Sequence, residues 1–145
     1  MKTEEIVEKI RKVGGRMTRV KLGLVEVIRK AERPLSVKEI MMKLGNKGIV
    51  TSRTTVYREV DFLVRNGLMV EVNLYPGEMY YELASLVHHH HVVCEKCGRV
   101  ERVDECGLMR AELELYKRTG FKVSRHFLGF YGLCIKCNQE GSLLV

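Results

Sequence analysis

The chain has 145 residues, 46% hydrophobic and 30% charged, with 25 Lys and Arg against 18 Asp and Glu for a net charge of +7. That apolar share can build a core that offsets chain entropy, which excludes disorder over the whole length, and no apolar run approaches the roughly 18 residues that cross a bilayer. The charged start Met1-Lys2-Thr3-Glu4-Glu5 lacks the apolar stretch of a secretion signal, so a cytoplasmic protein is expected, with no membrane partner.

Residues 1–84 carry 16 basic and 11 acidic side chains, and residues 85–145 carry 9 and 7. A polyanion-binding surface is therefore expected in the first part. All five cysteines and all five histidines fall after residue 87, which confines metal-ligand chemistry to the second. Two domains are expected, 1–84 and 85–145.

In chain order, Thr3 to Val13 predicts a short amphipathic helix on Ile6, Val7 and Ile10, ended by Gly14-Gly15. Thr18 caps a second helix with Leu22, Leu24, Val25, Val27 and Ile28 as its apolar content. Ser36 and Glu39 fit an S-x-x-E capping box opening a third helix, on Ile40, Met41 and Leu44. The fourth helix follows Ser52 and stops at Gly67. Val56, Val60, Leu63 and Val64 turn inward at three- and four-residue spacing, leaving Ser52, Arg53, Thr54, Tyr57, Arg58 and Asp61 to solvent. Such side chains can donate to phosphates or reach base edges. Alternation then predicts a hairpin. Leu68, Val70, Val72 and Leu74 share one face, Pro76-Gly77 suit a type II turn, and Met79, Tyr81 and Leu83 return. Helices ending in a recognition helix and a two-stranded wing make a winged helix-turn-helix, which binds double-stranded DNA. The alternative at this point is a helical interaction domain with a solvated basic face.

In the second part, Cys94-Glu95-Lys96-Cys97 and Cys134-Ile135-Lys136-Cys137 are paired C-x-x-C knuckles 36 residues apart. Four thiolates so arranged suit tetrahedral structural Zn²⁺; thioredoxin-like redox chemistry needs only one such pair. Cys106 is left over and reads as a small buried hydrophobe. His88-His89-His90-His91 precede Val92-Val93, so on a strand His88 and His90 point one way and His89 and His91 the other, feeding two metal sites. Val100 to Val103 predict a returning strand. Gly107 to Thr119 predict a helix on Leu108, Ala111, Leu113 and Leu115, ended by Gly120, and Phe121 to Leu133 a strand carrying His126. The whole is an α+β protein, with a small zinc-binding unit whose apolar edge a second copy of the chain could complete.

Ser52-Arg53-Thr54-Thr55-Val56-Tyr57-Arg58, the run Tyr81-Glu82-Leu83 leading to His88 through Gly98, and Phe130-Tyr131-Gly132-Leu133-Cys134-Ile135-Lys136-Cys137 together resemble the ferric uptake regulator family of metal-responsive repressors. The resemblance implies a homodimeric, metal-dependent repressor of a near-palindromic operator, with a DNA-reading winged helix and a dimerising, metal-sensing second domain. Tyr57 and Arg58 match family residues that face DNA, and Lys21 aligns with a phosphate-contacting arginine. The four knuckle cysteines correspond to a structural zinc site. A regulatory site is implied at Glu82, His89 and His91. This chain has Pro34 where the family often adds a histidine and Arg102 where it places a carboxylate, with Asp104 as the expected substitute. A second site is implied at His88, His90 and His126; Met109 stands at its carboxylate position, and Glu112, one turn on, is the expected replacement. The regulatory ion is expected to be Fe²⁺ or Zn²⁺, with Mn²⁺ and Ni²⁺ as further candidates. Two alternatives are a winged-helix repressor with structural zinc and no metal sensing and, more remotely, a zinc hydrolase using the histidines. The hydrolase lacks an H-E-x-x-H base, so no enzyme is expected.

Overall fold

A computed structural model describes residues 2–75, 77–84, 88–104, 106–124, 126 and 128–141. The chain divides into two compact units, Met1–Ser85 and Leu86–Val145.

The first unit is built from α1 (Thr3–Lys12), α2 (Arg19–Arg29), β1 (Leu35–Ser36), α3 (Val37–Asn46), α4 (Arg53–Arg65), β2 (Met69–Tyr75) and β3 (Glu78–Leu83). Side chains that satisfy free backbone N–H groups start the helices. The Thr18 hydroxyl accepts from the Lys21 N–H at 3.1 Å. At α3 the Ser36 hydroxyl accepts from Glu39 and the Glu39 carboxylate from Ser36, the reciprocal box read from the sequence. The Ser52 hydroxyl accepts from Thr55 at the start of α4. Ile6, Ile10, Leu24, Val25, Ile40, Leu44, Val56, Val60 and Leu63 are wholly buried in one cluster. Burial stabilises each by about 1.5–3 kcal/mol, enough for this unit to hold its own core. Leu22, expected inside, is exposed instead.

The hairpin forms, and β3 pairs antiparallel with β2 on one side and β1 on the other. Its predicted facing holds only in part. Met69 is buried and Val70 is 40% exposed. An irregularity in register between Val72 and Tyr75 changes the parity, which returns Leu74 to a buried position. Pro76 lies outside the described residues; Gly77 has φ +85°, the left-handed value the third residue of a type II turn requires.

The second unit contains β4 (His90–Cys94), β5 (Val100–Val103), α5 (Met109–Thr119), β6 (Gly129–Gly132) and α6 (Ile135–Gly141). β4 is central, antiparallel to β5 and parallel to β6. Gly120 ends α5 at φ +74°, its N–H donating to the Tyr116 carbonyl. The long strand expected over Phe121 to Leu133 is shorter, because among the described residues of this stretch only Gly129 to Gly132 pair as a strand, along β4. The apolar residues of α5 do not make a core within this chain: Met109, Leu113, Leu115 and Tyr116 are exposed, as are Phe130, Tyr131, Leu133 and Ile135. Among the described residues of this unit, the buried apolar side chains are Val93, Cys94 and Cys137. That is little apolar burial to hold a unit of this size by itself.

Candidate nucleic-acid face and metal centres

On α4 the inward residues leave Ser52, Arg53, Thr54, Tyr57, Arg58 and Asp61 exposed. Arg53 lies over the Tyr57 ring at 5.5 Å and donates to the Tyr57 hydroxyl at 3.2 Å, so the guanidinium is held at the helix start. An open groove of about 400 Å³ runs beside it, lined by Val37, Lys38, Arg53, Tyr57 and the hairpin tip Gly77 to Met79.

Lys21 does not belong to this face. Its ammonium lies 3.2 Å from the Glu59 carboxylate and 3.9 Å from the centre of the Phe62 ring, and the side chain is 7% exposed. A charge buried on α2 against an acid on α4 is spent inside the protein, so the expected phosphate contact is corrected. Glu59 is the residue the pattern missed: a carboxylate at an inward position of α4 that needs a buried cation.

The four knuckle cysteines come together. Cys94 ends β4, and Gly98 N–H donates to its carbonyl at 2.8 Å, closing the turn that carries Cys97. Parallel pairing of Cys94 with Gly132 brings Cys134 alongside, and α6 supplies Cys137. All four Sγ atoms lie within 4.8 Å of one another, and Cys97 to Cys134 is 3.8 Å. A disulfide needs about 2.05 Å. A tetrahedron of thiolates about 2.3 Å from zinc has edges of about 3.8 Å, so the donor set fits the ion. Backbone N–H groups of Cys134 and Cys97 hold the Cys94 thiol down at about 6, and burial with the neighbouring thiols pushes Cys137 up to about 12. A thiol held low at Cys94 beside one pushed up at Cys137 makes a cluster that a cation would bring to full charge.

The histidines segregate by parity as expected. His89 and His91 stack edge to face at 5.1 Å between ring centres. Glu82 sits on β3 of the first unit, and its part in a metal set with them rests on the sequence resemblance. Asp104 does not complete this pair: it is exposed and bound to the Arg102 guanidinium, whose Cα is paired with His91 across β4 and β5. On the other side of the histidine run, His88 Nε2 lies 2.9 Å from His90 Nε2 and 2.9 Å from His126 Nε2, and His90 lies 3.3 Å from His126. Burial, then the two neighbouring rings, lowers the affinity of His90 for a proton and keeps it neutral, the form that binds metal.

Two residues around this cluster depart from expectation. Glu112 contacts His126 at Nδ1, 2.6 Å away, on the opposite side of the ring from the converging Nε2 atoms. It holds the His126 ring from behind and is not among the converging donor atoms, the position outer carboxylates commonly take. Cys106, read as a buried hydrophobe, is only partly buried and places Sγ 3.5 Å from His126 Nε2. His88, His90, His126 and Cys106 form one compact donor group. Sequence spacing carries no sign of this, since Cys106 lies 16 residues from His90 and 20 from His126.

A winged helix with an exposed Arg/Thr/Tyr face, carried on the same chain as a four-thiolate cluster and a histidine cluster, defines a metal-responsive transcription regulator. The chain belongs to the ferric uptake regulator family, whose profile matches residues 12–131. It is 30% identical over 128 residues to the ferric uptake regulation protein of Cupriavidus metallidurans, covering 88% of this chain and 90% of that one. The Legionella pneumophila protein of the same description is 30% identical, over 90% and 96%. The structure is similar to that of the Helicobacter pylori ferric uptake regulator, described as having three functional metal binding sites, with a TM-score of 0.79, 25% identity and 95% of both chains covered. The Vibrio cholerae regulator gives a TM-score of 0.75 at 26% identity, over 88% and 98%. The chain is thus a transcriptional regulator and not an enzyme. Family regulators bind DNA and metal and act as dimers. Among the described residues, no helix is long and apolar enough to cross a membrane.

Proposed function

We propose that this chain is a cytoplasmic, homodimeric repressor that binds a near-palindromic operator when its histidine site carries a divalent metal. The observation that carries the DNA-reading part is the polar face of α4, where Arg53 is already held by the Tyr57 hydroxyl, with Thr54 and Arg58 exposed beside them. Arg58 and Tyr57 read base edges, and Ser52, Arg53 and Thr54 hold phosphates and fix the register. A two-fold dimer presents two such helices to successive major grooves, which is why the operator is near-palindromic. The exposed apolar surface of α5 and β6 supports the second copy, since a lone second unit leaves it in water.

Cys94, Cys97, Cys134 and Cys137 hold structural Zn²⁺, which cross-links β4, the turn after it and α6. We assign the regulatory ion to His88, His90 and His126, the second site of the sequence resemblance, in place of the Glu82, His89 and His91 set to which that resemblance gives the regulatory role. Iron and zinc are the leading ions, with manganese and nickel behind them; the Pseudomonas aeruginosa relative, 25% identical, was solved with manganese. Glu82, His89 and His91 form a further site by the sequence resemblance, weakened by Arg102 where a carboxylate would assist. Bound metal biases the orientation of the reading helices, and by linkage DNA tightens metal binding by the same factor.

The test is fluorescence anisotropy on selected operator DNA, with the structural zinc in place and a second ion added or chelated. Tighter binding with the second ion supports the proposal. Equal binding with and without it leaves a repressor that does not sense metal.

A further inference from the structure

Resting on the reading of the histidine cluster as a metal site, we infer that Cys106 is its fourth ligand, so that the ion sits in a closed set of three imidazoles and one thiolate suited to zinc over ferrous iron or manganese.

The Glu112 carboxylate meets His126 at Nδ1, which leaves the Nε2 edge of the ring to face the cluster. His126 Nε2 has His88 Nε2 at 2.9 Å, His90 Nε2 at 3.3 Å and Cys106 Sγ at 3.5 Å. Four donor atoms that converge this closely suit a single cation at their centre. The distances agree with such a cation. With Zn–N of about 2.05 Å and Zn–S of about 2.3 Å, tetrahedral edges are about 3.3 Å between nitrogens and about 3.5 Å from nitrogen to sulfur. His90 to His126 and Cys106 to His126 match those values, and the two edges at His88 are somewhat shorter.

The element order places Cys106 for this role. It follows β5, which returns alongside the start of β4 where His90 lies, and it precedes α5, whose Glu112 fixes His126. Met109, in the same helix, is 79% exposed and turned to solvent. On metal binding the Cys106 thiol releases its proton to water and the thiolate bonds the ion, leaving a net charge of +1 on a Zn²⁺ centre with three neutral imidazoles. A thiolate in place of a carboxylate favours borderline-soft ions that accept four-coordination, and disfavours Mn²⁺ and Fe²⁺, which take more oxygen donors.

The test uses the full chain with one chelation-resistant zinc per chain in the spectroscopically silent four-cysteine site. Co²⁺ is then titrated as a probe. The expected result is one further Co²⁺ per chain with a near-ultraviolet sulfur-to-cobalt charge-transfer band. In Cys106→Ser, Co²⁺ still binds, the band is lost, and zinc affinity at this site falls at least tenfold while Mn²⁺ affinity changes less than threefold. One Co²⁺ bound without the band, or the same band in Cys106→Ser, overturns the assignment while the histidine site stands. No second ion in the unaltered chain overturns both. A second ion that binds with the band but does not change DNA affinity supports this inference and counts against metal sensing. Alkylation needs no variant: iodoacetamide should modify Cys106 in the one-zinc protein and spare it once a second zinc is bound, and equal modification in the two states would also overturn the assignment.

Discussion

Lys21 on α2 and Glu59 on α4 form a buried ion pair, Nζ to Oε2 at 3.2 Å, with side chains 7% and 10% exposed and the Phe62 ring over the ammonium. The pair ties the reading helix to the helix behind it. Removing Lys21 leaves an uncompensated carboxylate inside, so Lys21→Met should cost about 3–5 kcal/mol in urea unfolding followed by first-unit signals. Lys21→Met with Glu59→Leu should recover most of that loss, because two apolar side chains replace two charges. Folded Lys21→Met should keep the unaltered salt dependence of DNA binding; a slope reduced by about one would return Lys21 to the phosphates.

Arg58→Ala should weaken operator binding by about 1–3 kcal/mol and leave random DNA nearly unchanged, as anisotropy on both sequences would report. Equal losses on the two would move Arg58 from base reading to phosphate contact. Arg53→Lys should also weaken binding, since lysine loses the forked donors, one of which reaches the Tyr57 hydroxyl.

Cys94→Ser removes the thiol held lowest by backbone N–H groups and should abolish the tightly held zinc. The second unit, with few buried apolar residues, should then lose its fold, while the helices of the first unit persist on their own core. Elemental analysis and circular dichroism check both halves of this expectation. A dimeric, folded variant with full zinc would refute four-thiolate binding.

Glu112→Ala should lower metal affinity at the histidine cluster by about 10–100-fold without changing the number of ions bound, the effect of losing an orienting partner. A chelator competition measures it. Loss of the ion altogether would instead make Glu112 a direct ligand.

His88→Ala with His126→Ala, and separately His89→Ala with His91→Ala, should divide the two histidine sets. The first pair is expected to abolish metal-dependent DNA binding; the second should weaken it less, because Arg102 stands across from His91. The reverse order would shift regulation to the set implied with Glu82.

Short-range patterns carried most of the fold. The caps at Thr18, Ser36 and Ser52, the inward face of α4 and the stop at Gly120 are decided within three or four residues, where one side chain meets a nearby backbone group. Repeated spacing likewise made the four cysteines and the parity of the histidine run legible, because knuckles and strands have fixed local geometry. The facing of β2 was less legible, since its register irregularity depends on how β3 pairs with it.

The winged helix, the paired C-x-x-C knuckles and the family were legible from residue order and spacing. Packing across elements was needed to bury Lys21 against Glu59, to bind Asp104 to Arg102, to bring Glu112 to His126 Nδ1, and to join Cys106 with His88, His90 and His126. Each of these joins residues through side-chain reach across separate elements or past a strand's end. Aligned identity and periodicity record which chemistry is present at a position, but a partner is chosen by which atoms arrive within about 3 Å once the chain is packed.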